Sequence, residues 1–160
     1  MRRIFFSLVM IASLTMTAAA FAAEREMIFR EDSGLTKTEY FLAVGKYSVA
    51  ISTANEVLAR HPANADAYTY RGYAYARLGQ TADAAKDFKK ALLIDPAHLG
   101  ANKYLADTYL QAGDVSRALE QMQVIRLTCG QTDCEELDEL QREIDQYKSD
   151  KDDKKEGKKE

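Results

Sequence analysis

Residues 65–96 read ADAYTYRGYAYARLGQTADAAKDFKKALLIDP, and this stretch decides the fold. Tyr68, Tyr75 and Phe88 are large, Gly72, Ala84 and Ala91 are small, and helix-forming residues lie between them. Large and small side chains alternating at helical spacing suit two antiparallel helices: the large ones fill the gap, and the small ones let the backbones approach. Gly79 falls where a helical hairpin must turn, and Pro96 ends the second segment.

The same pattern recurs on both sides at one period. Gly45, Gly79 and Gly113 are spaced by 34 residues. The same shift relates Phe41, Tyr75 and Tyr109, then Ala50, Ala84 and Ala118, and it carries Pro62 onto Pro96. Agreement of several positions at one period marks a repeat architecture. Order, spacing and residue type resemble the tetratricopeptide repeat (TPR), although Arg71 stands where that pattern has Leu. The resemblance implies an all-α protein, an α-solenoid of three helical hairpins at about 31–62, 65–96 and 99–130, within a domain spanning 33–147. The outer repeats are degenerate. Gly34, Lys37 and Thr38 take the slots of Tyr68, Arg71 and Gly72, so only Leu35, Tyr40, Phe41 and Val44 support a first helix, which is expected to be short or frayed. In the third repeat Asn102 replaces the aromatic and Gly130 the closing proline.

Beyond the third repeat, Thr132 and Glu135 read as a capping box, and Leu137, Leu140, Ile144 and Tyr147 recur at helical spacing. These features predict a capping helix over 133–147 that covers the open end of the stack. From Lys148 to Glu160 the chain holds only Lys, Asp, Glu, Ser and Gly, and a segment with nothing apolar to bury is expected to be disordered.

Arg2 and Arg3 are followed by an apolar run, Ile4–Met16, and by Ala20-Phe21-Ala22, the layout of a secretory signal peptide over 1–22 cut after Ala22. The run is too short for a stable membrane span, and Glu24, Arg25 and Glu26 follow it. A flexible lead is expected over 23–32. The expected location is the periplasm of a Gram-negative bacterium. Removing Arg2 and Arg3 takes the net charge from −3 to −5. In an exported protein the only two cysteines, Cys129 and Cys134, are expected to form a disulfide that pins the capping helix. A thiol-redox pair or a metal-handling site is the alternative for them; the spacing is not C-x-x-C, and no His lies nearby in sequence.

An acidic chain argues against a general nucleic-acid binder. There is no phosphate-cradling glycine loop after a strand, no nucleophile elbow and no metal-spaced His pair. The expectation is therefore a non-catalytic protein with no cofactor and no metal, binding a protein or peptide. His61 and His98 read as solvent-facing or helix-end residues. By the resemblance, the second, fifth, ninth, twelfth and thirteenth residues of each repeat line a concave groove. Thr69, Tyr73 and Arg77 of the second repeat, with Lys103, Asp107 and Gln111 of the third, are the expected partner-binding residues. A clamp for a C-terminal carboxylate would pair Lys at the fifth position with Asn at the ninth; here the companion of Lys103 is Asp107, which repels a carboxylate, so that mode is rejected. The remaining alternative is a structural module that self-assembles, with the incomplete first repeat leaving an apolar edge for a second copy.

Overall fold

The computed structural model describes residues 34–130 and 133–156. The expected signal peptide, the flexible lead and Thr132 of the capping box lie outside them. Seven helices make up the described chain: α1 at 34–43, α2 (Tyr47–Arg60), α3 (Ala65–Arg77), α4 (Thr81–Ile94), α5 (Leu99–Gln111), α6 (Val115–Cys129) and α7 (Glu135–Glu156). Among the described residues there is no strand, and no helix is long and apolar enough to cross a membrane.

The glycine period has a direct backbone cause. Gly45, Gly79 and Gly113 have φ of 71°, 76° and 80°, a left-handed region that glycine enters without a Cβ penalty. At each, two nested hydrogen bonds close the helix end. Lys46, Gln80 and Asp114 donate their N–H to the carbonyls of Phe41, Tyr75 and Tyr109 at 2.8, 2.9 and 2.8 Å. The glycine N–H groups themselves reach Leu42, Ala76 and Leu110. This is a Schellman motif used three times at the same register. The starts of the next repeats are capped by side chains: Asn64 Oδ1 accepts from the Ala67 N–H at 2.7 Å, and His98 Nδ1 accepts from the Ala101 N–H at 3.3 Å. His98 is thus one of the expected helix-end residues.

The helices stack in two layers. α3 packs on α2, α4 and α5, α5 packs on α6, and α7 rests on α5 and α6 in the place that the first helix of a fourth hairpin would take. Apolar clusters lie at the seams. One holds Ala84, Phe88 and Leu105; another joins Leu110, Ala118 and Ile125 to Leu140 and Ile144 of α7. Phe88 presses so close to α3 that a Cβ on Gly72 would lie 2.7 Å from its ring. Arg71, the departure from the repeat pattern, forms a two-pronged ion pair with Asp87 at 2.7 Å for each prong and also reaches Asn55 Oδ1. One side chain thereby ties α2, α3 and α4 together. Asn102, which stands in the aromatic slot, is buried and donates to the carbonyls of Pro96 and His98 at 3.1 and 3.0 Å.

Three expectations are corrected. Of the residues expected to support α1, Leu35 packs against the Val57, Leu58 and Ala67 cluster, but Tyr40 and Val44 are 60% and 45% exposed. α1 is also held by Thr38, fully buried, whose hydroxyl lies 2.9 Å from both the Gly34 carbonyl and Thr53 Oγ1. Gly34 in the aromatic slot lets α2 approach: a Cβ there would meet Val57 at 2.7 Å. α7 starts later than 133, at Glu135, with the Cys134 carbonyl accepting the Asp138 N–H at 3.1 Å. α7 also does not end at Tyr147 but continues to Glu156, through residues expected to be disordered. Lack of apolar surface prevents burial, yet it does not prevent an anchored helix from propagating, since Lys, Glu and Gln are good helix formers. Gln141 bonds Asp145, and Gln146 bonds Asp150, each four residues on. Lys151 stacks over the Tyr147 ring at 5.4 Å.

Candidate functional site

Helical spacing aligns the inner-face residues in columns. Tyr73 and Arg77 are one turn apart on α3, Lys103, Asp107 and Gln111 follow one another on α5, and Glu139 and Glu143 do the same on α7. Between the three helices lies a cavity of about 370 Å³, lined by Tyr73, Arg77, Lys103, Asp107 and Gln111 together with Phe88, Tyr104 and Glu139. A smaller cavity of about 250 Å³ adjoins it at Asp107 and Gln111 and adds Leu110, Glu143 and Tyr147.

Five of the six expected partner-binding residues thus come together. Thr69 does not: it is 2% exposed, and its hydroxyl donates to the Ala65 carbonyl at 2.9 Å and lies 3.3 Å from His98 Nε2. Because His98 Nδ1 accepts a backbone N–H, Nε2 carries the ring proton, and it faces Asp66 Oδ1 at 3.1 Å. The Thr69–His98–Asp66 set joins the second repeat to the third and leaves no hydroxyl for a partner.

The aromatic end of the groove is preorganised. The Tyr73 and Tyr104 rings lie 4.9 Å apart. Arg77 donates to Tyr73 Oη at 2.8 Å, and its guanidinium lies 5.2 Å from the Tyr47 ring and 5.7 Å from the Tyr73 ring. The other end is a charged cluster. Lys103 Nζ lies 3.5 Å from Asp107, 3.1 Å from Glu139 and 3.5 Å from Glu143. Burial opposes the ammonium charge, but the three carboxylates overcome it and raise the Lys103 pKa above the ordinary lysine value. Burial pushes the Asp107 carboxyl well above the usual carboxylate range; the Glu143 carboxylate adds to the rise, and the Lys103 ammonium opposes it. Asp107 Oδ1 is buried with no hydrogen-bond partner among the described residues.

Sequence reasoning missed Tyr104, Glu139 and Glu143. Tyr104 had a signal, since it stands 34 residues after Tyr70. The glutamates had none, because their place in the groove depends on how α7 rotates onto α5. A larger hollow, about 620 Å³, lies elsewhere, along α4 over Tyr68, Ala85, Lys89 and Leu93. Its polar floor is the Arg71–Asp87 pair, which is already satisfied internally, so the hollow's size does not make it the better site.

Cys129 and Cys134 are paired across the α6–α7 connection, with Cα atoms 6.0 Å apart. Among the described residues no group of His, Cys, Asp and Glu is arranged to hold a metal.

Stacked helical hairpins with an inner-layer groove define an α-solenoid repeat protein. Family models for the tetratricopeptide repeat match residues 35–98 and 75–144, and the chain belongs to that family. It is 32% identical over 119 residues to a tetratricopeptide repeat and J domain-containing co-chaperone, DNJ1, of Fusarium oxysporum f. sp. lycopersici; the match covers 69% of this chain and 23% of that protein. The chain therefore spans about a quarter of the length of this relative. Its fold is similar to the Sgt2 TPR domain from Aspergillus fumigatus, with a TM-score of 0.67, 23% identity, and 79% and 82% of the two chains covered. It is also similar to the second TPR domain of human RPAP3 in complex with an HSP70 peptide, with a TM-score of 0.61, 22% identity, and 71% and 92% covered.

Proposed function

We propose that this protein is a non-catalytic interaction module that takes a peptide or protein segment into the groove between α3, α5 and α7. The carrying observation is the cavity of about 370 Å³ that gathers Tyr73, Arg77, Lys103, Asp107 and Gln111. Its upper rim is a rigid aromatic–arginine pair, the kind of group that dominates interface energy. Peptide binding by RPAP3 in the same fold supports the reading by analogy. The setting we propose is the bacterial periplasm, on the strength of the signal-like residues 1–22.

Tyr73→Ala should weaken partner capture from an envelope extract by about 2 kcal/mol, or roughly thirtyfold, and Arg77→Ala should weaken it as well. Helicity and melting should stay nearly unchanged, because Tyr73 is only half-buried and Arg77 exposed. Lys90→Ala, in the hollow along α4, should leave capture intact. If capture follows Lys90 and ignores Tyr73, the groove assignment is wrong.

We further propose that the Cys129–Cys134 pair is an oxidised structural link in the exported protein. Cys134→Ser should retain most of the helical signal and lower the melting temperature, with a stability loss of about 2 kcal/mol for so short a loop. Two thiols reactive in native protein would count against the link and favour redox or metal chemistry.

A further inference from the structure

We infer that the groove selects a segment bearing a basic side chain, whose cation is received at the Asp107–Glu143 end. This rests on the groove reading above and adds the partner's charge.

The charge balance of the lining points this way. Arg77 and Lys103 are the cations; Asp107, Glu139 and Glu143 are the carboxylates. The Lys103 ammonium is within 3.5 Å of all three carboxylates, so its field is neutralised inside the protein and does not reach an acidic ligand. One ammonium facing the Glu139 and Glu143 carboxylates leaves negative charge over even with the Asp107 carboxyl protonated. That charge has an outlet, since the Glu139 and Glu143 side chains are 40% and 44% exposed. Arg77 is held at the far end between Tyr47 and Tyr73.

The smaller cavity is the natural receptacle. Asp107, Glu143 and Tyr147 line it with Leu110 and Gln111, and its lining contains no cation. The apolar Leu110 suits the methylene stem of Lys or Arg, and the Glu143 carboxylate, with the Asp107 carboxyl beside it as a hydrogen-bonding group, suits its head. The Tyr147 ring already stacks with an ammonium, that of Lys151 on its own helix.

The test is fluorescence anisotropy with the full exported chain and two short labelled peptides, one alternating lysine and alanine, the other glutamate and alanine. The lysine peptide should bind at least about tenfold more tightly, and added salt should weaken it. Glu143→Gln, with Glu139→Gln as a second variant, should weaken the lysine peptide about three- to tenfold while circular dichroism stays unchanged. Glu120→Gln removes the same charge from an exposed position on α6 and should have no effect. Failure of the lysine peptide to bind, equal or tighter binding of the glutamate peptide, or equal losses from Glu120→Gln and Glu143→Gln would overturn the inference. Tyr73→Ala separates the two levels. If it weakens both peptides and no charge preference exists, the groove stands and the basic selectivity fails. If neither peptide responds to Tyr73→Ala or Glu143→Gln, the groove reading fails as well.

Discussion

Phe88→Ala is expected to lower the unfolding free energy by about 3–5 kcal/mol, the range for deleting a large aromatic from a closed core. Phe88 is fully buried. It packs with Ala84 and Leu105, with Tyr75, Leu92, Tyr104 and Tyr109 around them, and its ring centroid lies 5.7 Å from that of Tyr104. It therefore joins the second hairpin to the first helix of the third. The site cannot collapse easily, because Gly72 already brings the α3 backbone against the ring. Urea unfolding followed by circular dichroism should show a lower midpoint with an unchanged slope. Phe88 also lines the groove, so ligand affinity should fall with stability, unlike in Tyr73→Ala. Gly72→Ala tests the same contact from the other side: its new Cβ must displace a ring rather than a flexible chain end, and it should also destabilise. A wild-type midpoint in either variant would remove Phe88 from the centre of the core.

Lys103→Met is expected to cost about 3 kcal/mol at neutral pH. Removing one partner of a buried charged cluster leaves the others uncompensated, and the lower part of the usual range applies because water screens the half-exposed Glu139 and Glu143. The loss should concentrate in α7, whose glutamates face Lys103, and appear as faster proteolysis of that helix before global unfolding. The sign of the pH dependence follows from the shifts. Asp107 has its folded pKa raised, so the native state holds more protons than the unfolded one at pH values above the ordinary carboxylate range. Its contribution is fully present below that range and is lost as pH rises through the raised value. Lys103 is raised as well, so its contribution is present below the ordinary lysine pKa and is lost at more alkaline pH. In Lys103→Met the three carboxylates repel one another when ionised. The deficit should therefore shrink as acidification protonates them. Urea titrations across this range check it, since urea leaves the electrostatics unscreened. A deficit independent of pH would mean that the lysine acts through packing alone.

Much of the architecture was legible in the chain before any coordinates. The 34-residue register of Gly45, Gly79 and Gly113 located three hairpin turns because a left-handed backbone at a helix end admits few residues besides glycine. The large–small alternation located the core positions Ala84, Phe88 and Ala91 because interhelical distance is set by side-chain size. Family positions carried over the groove column Tyr73, Arg77, Lys103, Asp107 and Gln111, since helical spacing keeps such residues on one face. Other features depend on contacts between residues far apart in the chain. Thr69 fits the groove by position, yet the approach of His98 closes over it. Thr38 breaks the repeat pattern, yet a hydroxyl partner at Thr53 secures it in the core. The charge of the groove depends on the rotation of α7, which brings Glu139 and Glu143 against Lys103. Local pattern specifies turns and helix faces because those are set within a few residues. The pairing of buried polar groups is set by tertiary packing, which decides whether a given hydroxyl or carboxylate meets a partner inside the protein or remains open to one from outside.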